Sequence, residues 1–314
     1  ERLVQYESRL NSMVDALVRE AILRSLAWNM VIEYPPTAME VWWLTRSSRV
    51  EDALEAMVVA GQVVSTSGRF VLPGHEALFL EHERRDRSFA RKWKHAQRLA
   101  GMMRWIPTVR FVALCNTMSI AHARDASDID LFVVVHRGTL WLTRALLAGC
   151  AWLVRRRPGE RGGERDAWCF SFFIDDMNLK LERFFLAPHD PYFVWWIARL
   201  LPVVDDGIGE RIWQAQKPVL EACPQAMPWI SWRVKPSFQE GAFASWERLD
   251  QWMMRLQQRF GSTALWRQAA EPGTAVVLDA HTMKTHQADR RMELRLRYET
   301  LCISLDIAPY MDAR

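Results

Sequence analysis

Residues 115–135 read "CNTMSIAHARDASDIDLFVVV" and carry two aspartates, Asp128 and Asp130, one residue apart at the head of an apolar run. On a strand, residues i and i+2 project to the same side, so both carboxylates stand together while Ile129 turns into the core. Two ionised carboxylates side by side repel, and one pKa rises unless something positive intervenes. The usual relief is a divalent cation. A hard oxygen pair at the end of a strand suits Mg²⁺ held together with a substrate's phosphates. An isolated Asp-x-Asp also has a plainer reading, a strand capped in solvent, so the surroundings must decide.

About a dozen residues upstream, an apolar strand runs into the small polar turn "LCNTMSIA", which is expected to open a short helix. Backbone amides at such a start receive phosphate oxygens. A phosphate site would then face a metal site on the adjacent strand.

This arrangement resembles the nucleotidyltransferase superfamily that includes DNA polymerase β and kanamycin nucleotidyltransferase. The family pattern is Gly-Ser or Gly-Thr, a short helix, then Asp-x-Asp beginning a strand. Asn116-Thr117 stands at the first position and "SDIDLFVVV" at the second, and the resemblance covers about residues 105–190. It implies an α+β fold, a mixed sheet with helices. It also implies Mg²⁺ as cofactor and transfer of a nucleoside monophosphate from an NTP to an acceptor (small molecule, RNA or protein). Asp128 and Asp130 would be the catalytic metal ligands, and Asn116, Thr117 and Ser127 the nucleotide contacts. The family's glycine is Asn116 here, a residue that tolerates left-handed backbone angles. The family's third carboxylate, on the next strand, has no evident counterpart. The candidate strand "WCFSFFI" holds Cys169 and Ser171, with Asp166 before it and Asp175 and Asp176 after it. Asp175 is the expected substitute. The alternative is a catalytically degenerate nucleotidyltransferase fold that serves as a binding or regulatory module for protein or nucleic acid.

Other elements must position this pair. Leu10, Met13, Val14, Leu17 and Ala21 form a helical stripe that "YPP" (34–36) stops. A short second helix follows at 37–45. Ser48 and Glu51 then have capping-box spacing before the apolar face Val50, Leu54, Met57 and Val58. "QVVSTSGRFVL" reads as a hairpin with Gly68 in its turn. Helix, helix, helix, hairpin is the order of a winged helix, which residues 10–74 resemble in pattern. The third helix carries Glu51, Asp52 and Glu55 against Arg49, so packing on protein is favoured over reading DNA.

Residues 75–104 read as one long helix with a basic second half that includes Arg84, Arg85, Arg91, Lys92, Lys94 and Arg98. It is either a solvated face or a strip for phosphates, with RNA as one acceptor to consider. Strands are expected near 109–115, 128–135 and 167–174, with a buried apolar helix at 139–154 and a charged glycine-rich loop at 155–166. In the loop before the aspartates, His122 and Arg124 read as exposed. "HTMKTHQADRR" (281–291) gathers Lys284, His286, Arg290 and Arg291 near a helix start, as solvated surface or as cations for a triphosphate. The expected units are a winged-helix-like domain at 1–74, a basic connecting helix at 75–104, the nucleotidyltransferase-like domain at 105–190 and a helical domain at 191–314.

The chain has 314 residues and a net charge of +4, which permits a polyanionic partner without requiring one. Its five cysteines are scattered with no zinc spacing, so they read as reduced core residues. No leader is visible, and "YFVWWIARLLPVV" (192–204), broken by Arg199, is too short to span a bilayer. The expectation is a cytoplasmic protein without a transmembrane segment. No Walker-type glycine loop or Ser-His-Asp set is present.

Overall fold

The computed structural model describes residues 2–45, 49–153, 165–221, 223, 226–229, 243–286 and 289–309, with side chains from Asp15 onward. Leu10, Met13 and Val14 of the first stripe therefore lie outside the described side chains, and Ser48 and most of the loop at 155–166 lie outside the described residues.

Helix α1 (Arg2–Val31) ends where Glu33 turns left-handed at φ +59° and Pro35-Pro36 follow, residues that offer no N–H to extend the ladder. Thr37 and Glu40 then form a reciprocal capping box that starts α2 (Ala38–Trp43). Helix α3 (Val50–Val59) buries Val50, Leu54 and Met57, and the side chain of its N-cap residue Arg49 makes no capping hydrogen bond to the helix. Strands β1 (Val64–Thr66) and β2 (Arg69–Val71) pair antiparallel through Ser67-Gly68, both at positive φ, as a two-residue hairpin turn requires. Arg69 turns inward, donating to the Pro35 carbonyl at 2.7 Å and the Tyr34 hydroxyl at 3.2 Å, so the hairpin's one cation is spent on the fold.

Helix α4 (Ala77–Met103) is the basic helix. Its inward stripe of His82, Arg85, Ser88, Lys92, Ala96, Leu99 and Met103 recurs every three or four residues. Beyond it come β3 (Val109–Leu114), β4 (Ile129–Val135), α5 (Leu140–Leu153), β5 (Trp168–Asp175), α6 (Pro191–Ala198), β6 (Leu201–Asp205), α7 (Gly209–Ala215) and α8 (Lys217–Leu220). Then follow α9 (Glu247–Phe260), α10 (Thr263–Ala269), β7 (Val277–Leu278), β8 (Thr282–Lys284) and α11 (Arg291–Ser304). The fold is α+β, with a mixed six-stranded sheet in the order β6-β3-β4-β5-β8-β7. Only β4 and β5 pair parallel, joined by the α5 crossover.

The sheet has a core on each face. Val112, Leu131, Val133 and Phe173 pack with Leu99 and Met103 of α4 and Leu147 of α5. Phe111, Phe132 and Phe172 pack with Trp196 of α6, in a core that continues to Trp28, Leu54 and Val71 of the N-terminal segment and to Tyr298 of α11. The helix–hairpin segment therefore shares its core with the sheet. Two of the expectations change. Half of the sheet's strands (β6, β7 and β8) come from beyond residue 190, so no helical unit separates there. Helix α5 is not buried all round, because Leu146, Trp152 and Leu153 face outward. No helix among the described residues is long and apolar enough to cross a membrane; the aromatic run at 192–204 divides into α6 and β6 and is largely buried.

Candidate functional site

Strand β3 is wholly buried, and its continuation sets the site. Cys115 is extended, and Asn116 then takes φ +55°, the left-handed turn that a glycine makes without cost. The expected short helix is one 3₁₀ turn over Asn116–Met118. It is closed by Ser119 Oγ donating to the Asn116 carbonyl at 2.7 Å and by the His122 amide donating to the Thr117 carbonyl at 2.9 Å. One such turn carries little macrodipole, so any phosphate affinity rests on individual N–H groups and the Thr117 hydroxyl.

Asp128 precedes β4 and Asp130 is its second residue; both are half-buried. The two carboxylates and the Cys169 sulfur lie within 4.8 Å of one another. Cys169 arrives because Asp130 pairs with it across the parallel β4–β5 ladder, just before a bulge in β5. It hydrogen-bonds to Asp128. Burial, and then the charges of Asp130 and Asp128, push its thiol far above the ordinary range. Asn116 Nδ2 donates to Asp130 Oδ2 at 2.7 Å, while the half-buried Tyr192 donates its hydroxyl to Asn116 Oδ1 at 2.6 Å. The side chain at the family's glycine position thus occupies one oxygen of the acidic pair.

The approach to β4 is tied down from α4. Fully buried Lys92 donates to the Ser127 carbonyl and, at 2.9 Å, to Asp166. Arg91 spans Asp125 at 2.7 Å and Asp166 at 3.2 Å. Burial works to raise the Asp166 carboxyl, but hydrogen bonds from Arg91 and Lys92 win and hold it at about 2. Ser127 Oγ donates to the Arg124 carbonyl at 2.9 Å, a local turn bond. Arg85 likewise bonds Glu33 and Glu81, each at 2.7 Å. The basic half of α4 is therefore partly structural: Arg85, Arg91 and Lys92 turn inward, and Arg84, Lys94 and Arg98 stay exposed.

Two other assignments change place. Asp175 is not brought to the pair. It ends β5 opposite Val135, about six residues or roughly 20 Å along the strand from Cys169. There it is fully buried and bound to Asn178 at 2.8 Å and His281 at 2.6 Å. His122 is not exposed but fully buried, its Nδ1 2.9 Å from His82 Nδ1 and its Nε2 2.8 Å from the Glu33 carbonyl. Arg124 does reach solvent and pairs with Glu33.

Sequence reasoning missed Cys169 as a neighbour of the acids. The signal was in the strands: Cys169 is the second residue of β5 as Asp130 is of β4, and parallel pairing from the first residues places them opposite. Beside the site, a cleft of about 270 Å³ is lined by Asn116, Phe172, Tyr192, Trp196, Lys284 and Arg290 among others, so part of the 281–291 segment does reach the acids' neighbourhood. Comparison of the chain with protein-family models, with curated proteins and with solved structures finds no match.

Proposed function

We propose that this protein is a nucleotidyltransferase that binds an NTP with Mg²⁺ at Asp128 and Asp130 and passes its nucleoside monophosphate to an acceptor. In that reaction the bond between the α-phosphorus and the bridging oxygen breaks. A bond from an acceptor oxygen or nitrogen to the α-phosphorus forms, the acceptor loses a proton, and pyrophosphate leaves. The observation that carries the reading is the pair itself: two half-exposed carboxylates on one side of a strand end, with a left-handed polar turn on the neighbouring strand. Two carboxylates suit a hard cation, whereas a protonated thiol is a poor ligand for it, so the donor set fits one Mg²⁺. The metal, when bound, supplies charge neutralisation of the phosphates. Asp128 and Asp130 hold it, and the turn at Asn116-Thr117 offers N–H and hydroxyl groups to phosphate oxygens.

A second reading is favoured by a specific feature. With Cys169 at the third position and Asn116 bonded to Asp130, the fold would bind nucleotide or a macromolecule without transferring anything. Incubation with each α-labelled NTP, Mg²⁺ and a cell extract separates the two. Transfer predicts a labelled fraction that disappears in Asp128→Ala. A binding module predicts Mg²⁺-dependent thermal stabilisation by NTP, or salt-sensitive RNA binding, with no label transferred. RNA as acceptor predicts that charge reversal at Lys94 and Arg98 abolishes RNA labelling. Arg91 does not belong in that variant, because its ion pairs support the fold.

A further inference from the structure

The cleft beside Asn116 reaches from the polar turn after β3 to β8. Across the sheet the order is β3 with its polar turn, β4 with the aspartates, β5 with Cys169 and Ser171, then β8 with Lys284. Phosphates drawn to the turn would lie on the β3 side of the pair; the cleft touches that turn at Asn116 and reaches Phe172 of β5 and Lys284 of β8. Its walls are Phe172, Tyr192, Phe193 and Trp196, with Phe172 and Phe193 both stacked on Trp196. Flat aromatic walls hold flat apolar molecules. At about 270 Å³ the cleft is near the low end of ligand pockets, roughly 300–1,000 Å³, with room for a small molecule and none for a polynucleotide.

One charge in this cleft has no ion pair of its own among the described residues. Lys284 is half-buried, donates to the Ala275 carbonyl at 2.8 Å, stands 6.0 Å from the Phe184 ring and forms no ion pair among the described residues. The other groups have theirs. Arg291 is bound to Asp289 and, at 2.8 Å, to Asp190; Arg290 is bound to Glu293 at the rim; His286 Nε2 is 3.2 Å from Ser171 Oγ. Burial, and then the charge of Arg291, bring Lys284 down to about 8. Asp289, which also lines the cleft, and Asp190 act on it without forming an ion pair. A cation kept from water with no close counter-charge is costly, and a ligand anion reduces that cost.

We propose that this cleft is the acceptor subsite, taking a small planar apolar molecule that carries one anionic group, which Lys284 binds. The word acceptor rests on the nucleotide reading of Asp128 and Asp130; the ligand class does not. The test is binding of 2-naphthoate and 2-naphthol, followed by tryptophan fluorescence and calorimetry without nucleotide or Mg²⁺. Wild type should prefer naphthoate at least tenfold. Lys284→Met should abolish the preference while naphthol still binds, Lys284→Arg should restore it, and Asp128→Asn should leave both affinities unchanged. The ligand class is overturned if wild type binds neither probe, shows no preference, or keeps it in Lys284→Met. Saturating NTP with Mg²⁺ should leave naphthoate affinity intact; competition would make the cleft part of the nucleotide site and overturn the acceptor assignment. Should NTP with Mg²⁺ stabilise nothing, the nucleotide reading fails separately, and the naphthoate result still decides the ligand class.

Discussion

The parallel strands β4 and β5 carry aspartates at both ends, in opposite circumstances. At the far end Asp175 and Asp176, with Asp206 from the end of β6 beside them, are buried, and cationic or titratable groups surround them. Arg110 donates to Asp176 at 2.8 Å and to Asp206 at 2.9 Å, and His281 binds Asp175 at 2.6 Å. At the near end Asp128 and Asp130 are half-buried, and the identified hydrogen bonds come from neutral groups, the Cys169 thiol and the Asn116 amide. The same side chain is therefore used twice. Where the protein supplies the positive charge, the acid is architecture. The half-buried pair at the near end is the one proposed above to take a ligand cation.

The largest expected effect removes the protein's own cation. Arg110→Met leaves Asp176 and Asp206 buried without it and should cost about 3–5 kcal/mol in urea unfolding. Asp128→Asn, measured without metal, should change stability by less than about 0.5 kcal/mol or raise it, since the repulsion it relieves offsets the weakened hydrogen bond from Cys169. Equal losses from the two variants would erase the distinction between the ends.

Acid should separate the ends by pH. Near the site, His122 is held neutral chiefly by burial, with Arg85 and His82 adding, and its pKa falls from 6.5 to about 3. The Glu33 carbonyl can only accept, so His122 Nε2 is the donor and its Nδ1 accepts from His82. Below pH 6.5 the unfolded chain binds a proton that the folded chain refuses. Stability from this group is full above 6.5 and is lost progressively toward 3. One and a half units below 6.5, at pH 5, the loss is about 2 kcal/mol. At the far end, burial opposes ionisation of Asp176, but hydrogen bonds from His136 and Arg110 lower its pKa below 3.8, so its contribution disappears only in stronger acid. His286, brought down to about 4 by burial, and His82, lowered by burial, add to the same limb, so His122→Leu should make the limb between pH 6.5 and 5 shallower without removing it and leave the more acidic limb in place. Unfolding free energies measured across that range check it.

A smaller effect belongs to the near end. Mg²⁺ at ten times its dissociation constant should stabilise the protein by about 1.4 kcal/mol. Asp128→Asn should lose this, while Asp175→Asn, weakened or not in its own fold, should still gain it. A thermal shift that persists in Asp128→Asn would place the ion elsewhere.

The near end was legible because its signal is local. A dyad on one strand and a polar turn after another depend only on i to i+2 geometry and on which residues tolerate positive φ, and the fold puts Asn116 at that angle. The strands, the hairpin and the helix ends at Pro35 and Gly61 were equally local. What failed was long-range. Asp175 looks like a neighbour of the pair in sequence, but β5 starts beside the pair and carries Asp175 away from it. The cations of α4 looked like one solvated strip because charge composition does not say which face turns inward; only the 3.6-residue period does, and it selects Arg85 and Lys92 for burial. Lys284 joined the site from 154 positions beyond Asp130, on a three-residue strand too short for periodicity to register.

The finest test concerns the one residue that links both readings of the near end. Asn116 sits at φ +55°, accepts from Tyr192 at 2.6 Å and donates to Asp130 at 2.7 Å. Asn116→Gly suits the backbone angle and removes both hydrogen bonds, leaving the Tyr192 hydroxyl without its acceptor. These terms oppose, so stability should move by less than about 1 kcal/mol. The informative quantity is Mg²⁺ affinity. If the amide merely occupies an Asp130 oxygen, glycine frees it and binding tightens several-fold. If the amide holds Asp130 in a metal-ready orientation, binding weakens instead. Tightening, measured by calorimetric titration, would mean that Asn116 restrains a working transferase-type site. Weakening would mean that the Tyr192–Asn116–Asp130 chain has been built into the ligand set, and that the glycine pattern describes this site poorly.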